Sequence, residues 1–326
     1  MKKYLLLSLL IFLTSCTPNL TGNTVLSLVQ DQGDIELYFC PQDDCEQELT
    51  DFIDSAQESI HCAFFEVDLD KVRNKLLEKQ KYLDVKVITD QDYLYEFDHD
   101  FVKVDSWGLM HNKFCIIDNK KISTGSMNPT NNGAQKNNNN LLFINSNALA
   151  TNYEAEFQEM WAGTFKKGDP SPNPNVKLNN ITIKNYFCPE EACAYRVKEE
   201  LKKAKESIHF MTFSFTNNGI ANILLLKHQE GIKIQGVMEA RQVTKYSKYQ
   251  VLKYQGIDVV KDGNKQNMHH KVFIIDKETV ITGSFNPTGG GDTRNDENIL
   301  IISDKNIAEE FMAEYKKVKA ESKVNQ

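Results

Sequence analysis

Two histidines with identical escorts carry the most specific chemistry in the chain. His111-x-Lys113-x4-Asp118-x6-Gly125-Ser126-x-Asn128 is matched position for position by His269-x-Lys271-x4-Asp276-x6-Gly283-Ser284-x-Asn286. Each set supplies an imidazole, an ammonium, a carboxylate, a hydroxyl and an amide. The flanking Phe114-Cys115-Ile116-Ile117 is apolar, so the segment reads as a buried strand whose alternation puts His111 and Lys113 on one face. Asp118 closes that strand, and Gly125 lets the backbone approach an anion. Two such sets around one tetrahedral anion suit phosphoryl transfer without a metal. A neutral His attacks phosphorus to form a phosphohistidine, while a protonated His gives its proton to the leaving alkoxide and then takes one from water. Lys113, Lys271, Asn128 and Asn286 would stabilise the equatorial oxygens, with Ser126 and Ser284 as further phosphate-binding donors.

The elements that position these sets are written twice as well. Tyr38-Phe39-Cys40-Pro41 recurs as Tyr186-Phe187-Cys188-Pro189, and Ala56-Gln57-Glu58-Ser59-Ile60-His61 as Ala204-Lys205-Glu206-Ser207-Ile208-His209. Between the copies, Pro170, Pro172 and Pro174 exclude helix and central strand. The expected division is a domain over 34–167, a Pro-rich linker over 168–180 and a second domain over 181–320. Each half alternates strands and helices: Ile35–Phe39, Ile60–Val67, Asp84–Thr89, Phe114–Ile117, Lys121–Thr124 and Leu141–Ile144 as strands, with helices near 46–57, 69–80 and 148–161. The fold class is therefore α/β: two similar domains, each a mixed sheet flanked by helices, related by a pseudo-twofold with the site between them.

Composition sets the outer limits. The chain has 326 residues, 40% hydrophobic and 25% charged, which excludes a wholly disordered or collagen-like protein. The net charge of −7 disfavours a large nucleic-acid footprint. Residues 1–16 read as an export signal: Lys2 and Lys3, the apolar Tyr4–Leu13, then Leu13-Thr14-Ser15-Cys16, the pattern of a bacterial lipoprotein in which Cys16 is lipidated. Residues 17–33 read as a polar tether. Losing the leader takes the charge from −7 to −9. The mature chain is expected in the bacterial cell envelope, held at a membrane surface by its anchor.

Export agrees with cysteine usage. Cys40/Cys45 and Cys188/Cys193 are both C-P-x-x-x-C pairs, read as two short-loop disulfides or, alternatively, a four-Cys zinc site. Cys62 and Cys115 lie in apolar runs and read as buried small hydrophobes. His61 and His209 read as structural, and His99 and His228 as surface residues.

The doubled motif resembles that of the phospholipase D superfamily, the HKD phosphodiesterases, over about residues 35–318. Each half is similar to single-motif members, the Nuc-type endonuclease and the mitochondrial cardiolipin hydrolase related to Zucchini, which pair two copies to complete one site. The resemblance implies histidine catalysis with no cofactor and no metal, His111 as nucleophile, His269 as general acid/base, and Lys113, Lys271, Asp118 and Asp276 within the catalytic set. It implies a monomer acting as an intramolecular pseudo-dimer. Family halves often continue into Asn-x-Glu-Asn, kept as Asn295-Asp296-Glu297-Asn298, with Glu297 expected to orient an imidazole. The first half has Asn139 at that place, so the two histidines are expected to be inequivalent. The substrate is a phosphodiester: phospholipid slightly favoured, nucleic acid the alternative, with phosphatidyl transfer and a non-catalytic surface binder behind. Lys245-Tyr246-Ser247-Lys248-Tyr249 is the segment that speaks for nucleic acid, against an amphipathic helix with Val243, Val251 and Leu252 inward.

Overall fold

The apolar runs assemble into two mixed sheets in a computed structural model that describes residues 28–105 and 107–324. In the first sheet the order is Ile35–Cys40, Asn139–Asn145, Lys121–Gly125, Lys113–Ile117, Ser59–Phe64, Asp84–Thr89 and Val102–Val104. Lys113–Ile117 sits at the centre with every residue buried, as the apolar run Phe114–Ile117 demands. It runs antiparallel to Ser59–Phe64, which pairs in parallel with Asp84–Thr89. The helix Asp70–Lys79 makes that parallel crossover. The second lobe repeats the pattern with Ile181–Cys188, Asn295–Ser303, Thr279–Gly283, Lys271–Ile275, Ser207–Thr212, Lys233–Met238 and Asp258–Lys261.

The connecting segments are more ordered than their composition announces. Within the segment read as a tether, Val29–Asp31 forms a strand, and it pairs in parallel with Asn175–Leu178 from the segment read as a linker. Both lie at the edge of the second sheet. The three prolines precede Asn175 and stay outside the ladder, where a missing N–H does no harm.

Three apolar clusters hold the fold. One lies inside each lobe, and the third is shared: Phe114, Ile116, Tyr153 and Phe157 of the first lobe pack with Phe187, Ile274, Leu300 and Phe311 of the second. The lobes are therefore fused through a common core. The end of the first lobe adds a buried ion triad. Lys166, held at φ +59°, extends its ammonium to Asp105 and lies 3.1 Å from Asp296 Oδ2, and its own N–H donates to Asp296 Oδ1 at 2.6 Å.

Near this triad lies a second group of acids. Burial, with the neighbouring carboxyls Glu190, Asp296 and Glu159, pushes Glu156 far above the usual carboxylate range. Burial likewise raises Glu190 to about 7. A folded-state acid with a raised pKa binds more protons than its unfolded counterpart, so its contribution to stability is lost as pH rises through the folded value. Thermal unfolding is therefore expected to fall between pH 5 and pH 8, and Glu156→Gln is expected to flatten that slope.

Cysteine pairing follows the sequence at two places and departs from it at a third. Cys40–Cys45 and Cys188–Cys193 are disulfides, which leaves no thiols for the alternative zinc site. Cys62 and Cys115 are buried but are not free small hydrophobes: they form a third disulfide. They face each other directly across the antiparallel pair of Ser59–Phe64 and Lys113–Ile117, a consequence of register that a separation of 53 residues conceals.

Candidate active site

Each catalytic strand is preceded by a short extension that crosses to the other lobe. Leu109–Met110 pairs in parallel with Asn295–Asp296, and the His111 N–H donates to Asp296 O at 3.0 Å. In the pseudo-equivalent place Met268 bridges Asn138, and the His269 N–H donates to Asn138 O at 2.9 Å. Both extensions are also held from their own lobe, with Met110 N donating to Asp90 Oδ2 and Met268 N to Glu239 Oε2. These ties deliver both imidazoles to one cavity of about 460 Å3, lined among others by His111, His269, Phe65, Phe213, Asn128 and Asn286. The rings stand edge-on to Phe65 and Phe213, at centroid distances of 4.9 and 4.6 Å.

The orienting groups are exchanged between lobes. His111 Nδ1 lies 2.8 Å from Glu297 Oε2 of the second lobe, and His269 Nδ1 lies 3.0 Å from Asn139 Oδ1 of the first. His269 Nδ1 also meets Ser126 O at 3.1 Å. With an acceptor facing each Nδ1, the proton belongs there and the lone pair of Nε2 faces the reaction. The inequivalence expected from the sequence is present: one imidazole has a carboxylate behind it, the other an amide oxygen. Glu297→Gln is expected to lower kcat by about 10^2–10^4-fold with little change in KM, since the lost charge matters most when His111 carries positive charge. Steady-state kinetics on a chromogenic diester checks this.

Burial sets the proton affinities. It pulls His111 well below its ordinary value, helped by Lys113 and Lys271, and pulls His269 down with the same two lysines and His111 beside it. Both imidazoles are therefore neutral in the free site. Burial lowers Lys113 to about 7, pulls Lys271 well below its ordinary value as well, and raises Glu297 to about 8 against the pull of Lys113. Two carboxyls accompany the two imidazoles and two lysines: Glu297 behind His111, and Glu66 on the cavity wall.

The structure sorts the remaining sequence candidates. Lys113 and Lys271 are buried just beneath the cavity, each donating to the carbonyl of its own histidine, and Lys271 Nζ is 3.0 Å from His269 Nε2. Asn128 and Asn286 line the cavity, and their Oδ1 atoms have no partner. Ser126 and Ser284 are not turned to the cavity as phosphate donors. Their hydroxyls donate to Asn139 Oδ1 and Glu297 Oε2 and accept from the N–H groups of Asn140 and Asn298, so they steady the residues behind the imidazoles. Asp118 and Asp276 leave the catalytic set altogether. They sit at the far ends of the strands in left-handed backbone at φ 54° and 53°. Asp118 accepts from the amides of Gln57, Glu58 and Ser59, and Asp276 from those of Lys205, Glu206 and Ser207. Burial works against ionisation of Asp118, but those amides hold it below the ordinary carboxylate value.

Several contributors escaped the sequence reading. Asn140 Oδ1 accepts from Thr282, and its Nδ2 lies 3.0 Å from His270 Nδ1; Asn298 Oδ1 accepts from Thr124, and its Nδ2 donates to Asn112. The signal was present in the repeated Asn that ends each Asn-x-x-Asn. Phe65 and Phe213 were likewise visible as an equivalent pair. His61 and His209 are structural, as expected: His61 stacks on Phe157 and meets Glu154 Oε1 at 2.8 Å, and His209 packs on Tyr315.

Comparison with known proteins agrees with this fold. A family model described as "Cardiolipin synthase, PLD-like domain" matches two stretches, residues 49–161 and 197–319. The chain belongs to this PLD-like family and carries two copies of its domain. It is 33% identical over 150 residues to a phospholipase D of Rickettsia typhi, covering 46% of this chain and 74% of the relative. It is 29% identical over 140 residues to a mitochondrial cardiolipin hydrolase of Chlamydomonas reinhardtii, covering 40% and 63%. Among solved structures, a phosphatidylserine synthase of Haemophilus influenzae covers 88% of this chain and 85% of its own, with a TM-score of 0.66 at 13% identity, a likeness of fold.

Proposed function

We propose that this PLD-like phosphodiesterase hydrolyses phospholipid head groups through a covalent intermediate on His111. The observation that carries the reading is one cavity holding two imidazoles, only one of them backed by a carboxylate. Nε2 of neutral His111 forms a bond to phosphorus as the bond to the leaving oxygen breaks, and Glu297 stabilises the cation that develops on the ring. A phosphoryl oxygen drawn between Lys113 and Lys271 takes Lys271 off His269 Nε2 and raises the proton affinity of that ring. His269 takes up a proton from solvent at Nε2, gives it to the leaving alkoxide, and afterwards deprotonates the water whose attack breaks the P–N bond. Asn128 and Asn286 add amide donors to the equatorial oxygens.

Similarity to relatives named phospholipase D supports the lipid substrate. So does the leader: an anchor at Cys16, which lies outside the described residues, would keep the cavity within reach of head groups. Cys16→Ala should release the protein from the membrane fraction, and unchanged fractionation would remove that support. One observation favours nucleic acid. Tyr246 and Tyr254 are 68% and 88% exposed beside Lys245 and Lys253, and Val251, expected inward, is exposed, while Tyr249 and Leu252 are buried. Parallel assays on phosphatidyl lipid vesicles and on plasmid and single-stranded DNA, each with EDTA, decide between them. Lipid turnover that survives EDTA is the expected result; turnover of DNA alone would replace this reading with a nuclease.

A further inference from the structure

The two walls of the cavity differ in one charged group. Phe65-Glu66 of the first lobe corresponds to Phe213-Ser214 of the second, and both pairs line the cavity. Among the described residues on its wall Glu66 is the single carboxylate, and no Lys or Arg is exposed there. Arg241, beyond the wall, is tied to Asn267 Oδ1 and Lys265 O. Glu66 Oε1 accepts from Asn128 Nδ2 at 2.5 Å, while no described residue donates to Oε2. Burial and the nearby Glu96 and Asp68 raise the carboxyl; Asn128 and Lys113 oppose them.

Nothing in the phosphoryl-transfer chemistry needs this carboxylate, and the pseudo-equivalent Ser214 shows that the frame accommodates a neutral residue. A negative charge beside a bound phosphodiester discriminates by sign. It attracts an ammonium carried on the substrate and repels a second phosphate, and in a half-buried site a unit charge a few ångströms away shifts a rate by about tenfold or more. Phe65, already against Glu66 in the chain, and Tyr93, packed on Phe65 at 4.9 Å, add aromatic faces that suit an amine. A nucleic-acid strand, by contrast, brings another phosphate one sugar away from the scissile one.

We propose that Glu66 is the specificity residue that sorts phosphodiesters by the charge of their substituents, admitting cationic amine-bearing groups and rejecting a second phosphate. This rests on the phospholipid reading and deepens it. Asn128 couples the selection to the phosphate, since the amide that faces the scissile group is the one Glu66 holds.

Three soluble chromogenic diesters with the same leaving group test it: p-nitrophenyl phosphocholine, the p-nitrophenyl ester of thymidine 5′-phosphate, and the same ester bearing a 3′-phosphate. The neutral thymidine ester is the reference for every enzyme. The wild type should give relative kcat/KM in the order cationic, neutral, anionic, spread by about a hundredfold. Glu66→Gln, which keeps an acceptor for Asn128 and loses the charge, and Glu66→Ser, which writes in the second-lobe residue, should each shrink the spread by about tenfold or more. An equal fall on all three substrates in both variants would make Glu66 only a support for Asn128 and would overturn the proposal. So would a spread that survives Glu66→Gln. The lipid reading stands or falls separately, on the vesicle and DNA assays.

Discussion

His111→Asn is expected to lower phosphodiester turnover by at least about 10^4-fold and to leave no phosphoenzyme. The size follows from the role: with no Nε2 lone pair aimed into the cavity, nothing on the first lobe can form the bond to phosphorus. What remains, the two lysines and the two asparagines, binds the phosphate without attacking it. Asn preserves much of the ring's volume and can still bond to Glu297, so the fold should persist, and thermal unfolding within a few degrees of the wild type checks that. KM should change far less than kcat, because binding is left to groups the substitution does not touch.

His269→Asn is expected to separate the two halves of the reaction. With a p-nitrophenyl leaving group, departure needs little protonation, so attack by His111 still proceeds. Hydrolysis of the intermediate needs a base for water, and Asn is none. The expected record is a rapid release of about one p-nitrophenol per chain followed by a rate lowered by about 10^3-fold or more. On a phospholipid, whose alkoxide leaves poorly, the first step should slow as well and the burst should vanish. A burst in His111→Asn with none in His269→Asn would reverse the assignments and place the nucleophile opposite Asn139.

What the sequence could convey depended on how local the cause was. The strands were legible because apolar runs and alternation are written in consecutive residues, and Asp84–Thr89 is found at its expected bounds. The pairing of two motifs in one site was legible because duplication is internal to the chain. Three features of the site were not, and each is set by tertiary register. Asp118 and Asp276 share the motif with the histidines, but a strand of five residues carries them to its other end, where they secure a loop. Ser126 and Ser284 face inward because Asn139 and Glu297 lie across from them. The exchange of orienting groups between lobes, Glu297 to His111 and Asn139 to His269, depends on how Leu109–Met110 and Met268 cross the interface. A motif names the parts of a site; the crossing decides which part serves which histidine.

Peptide mapping of the quenched His269→Asn reaction tests the account most directly. Tryptic cleavage places His111 in residues 104–113 and position 269 in residues 266–271. The expected result is an acid-labile phosphoryl adduct on 104–113, located at His111 by fragmentation. An adduct on any other residue, or turnover that inverts configuration at phosphorus and so passes through no covalent intermediate, would contradict it.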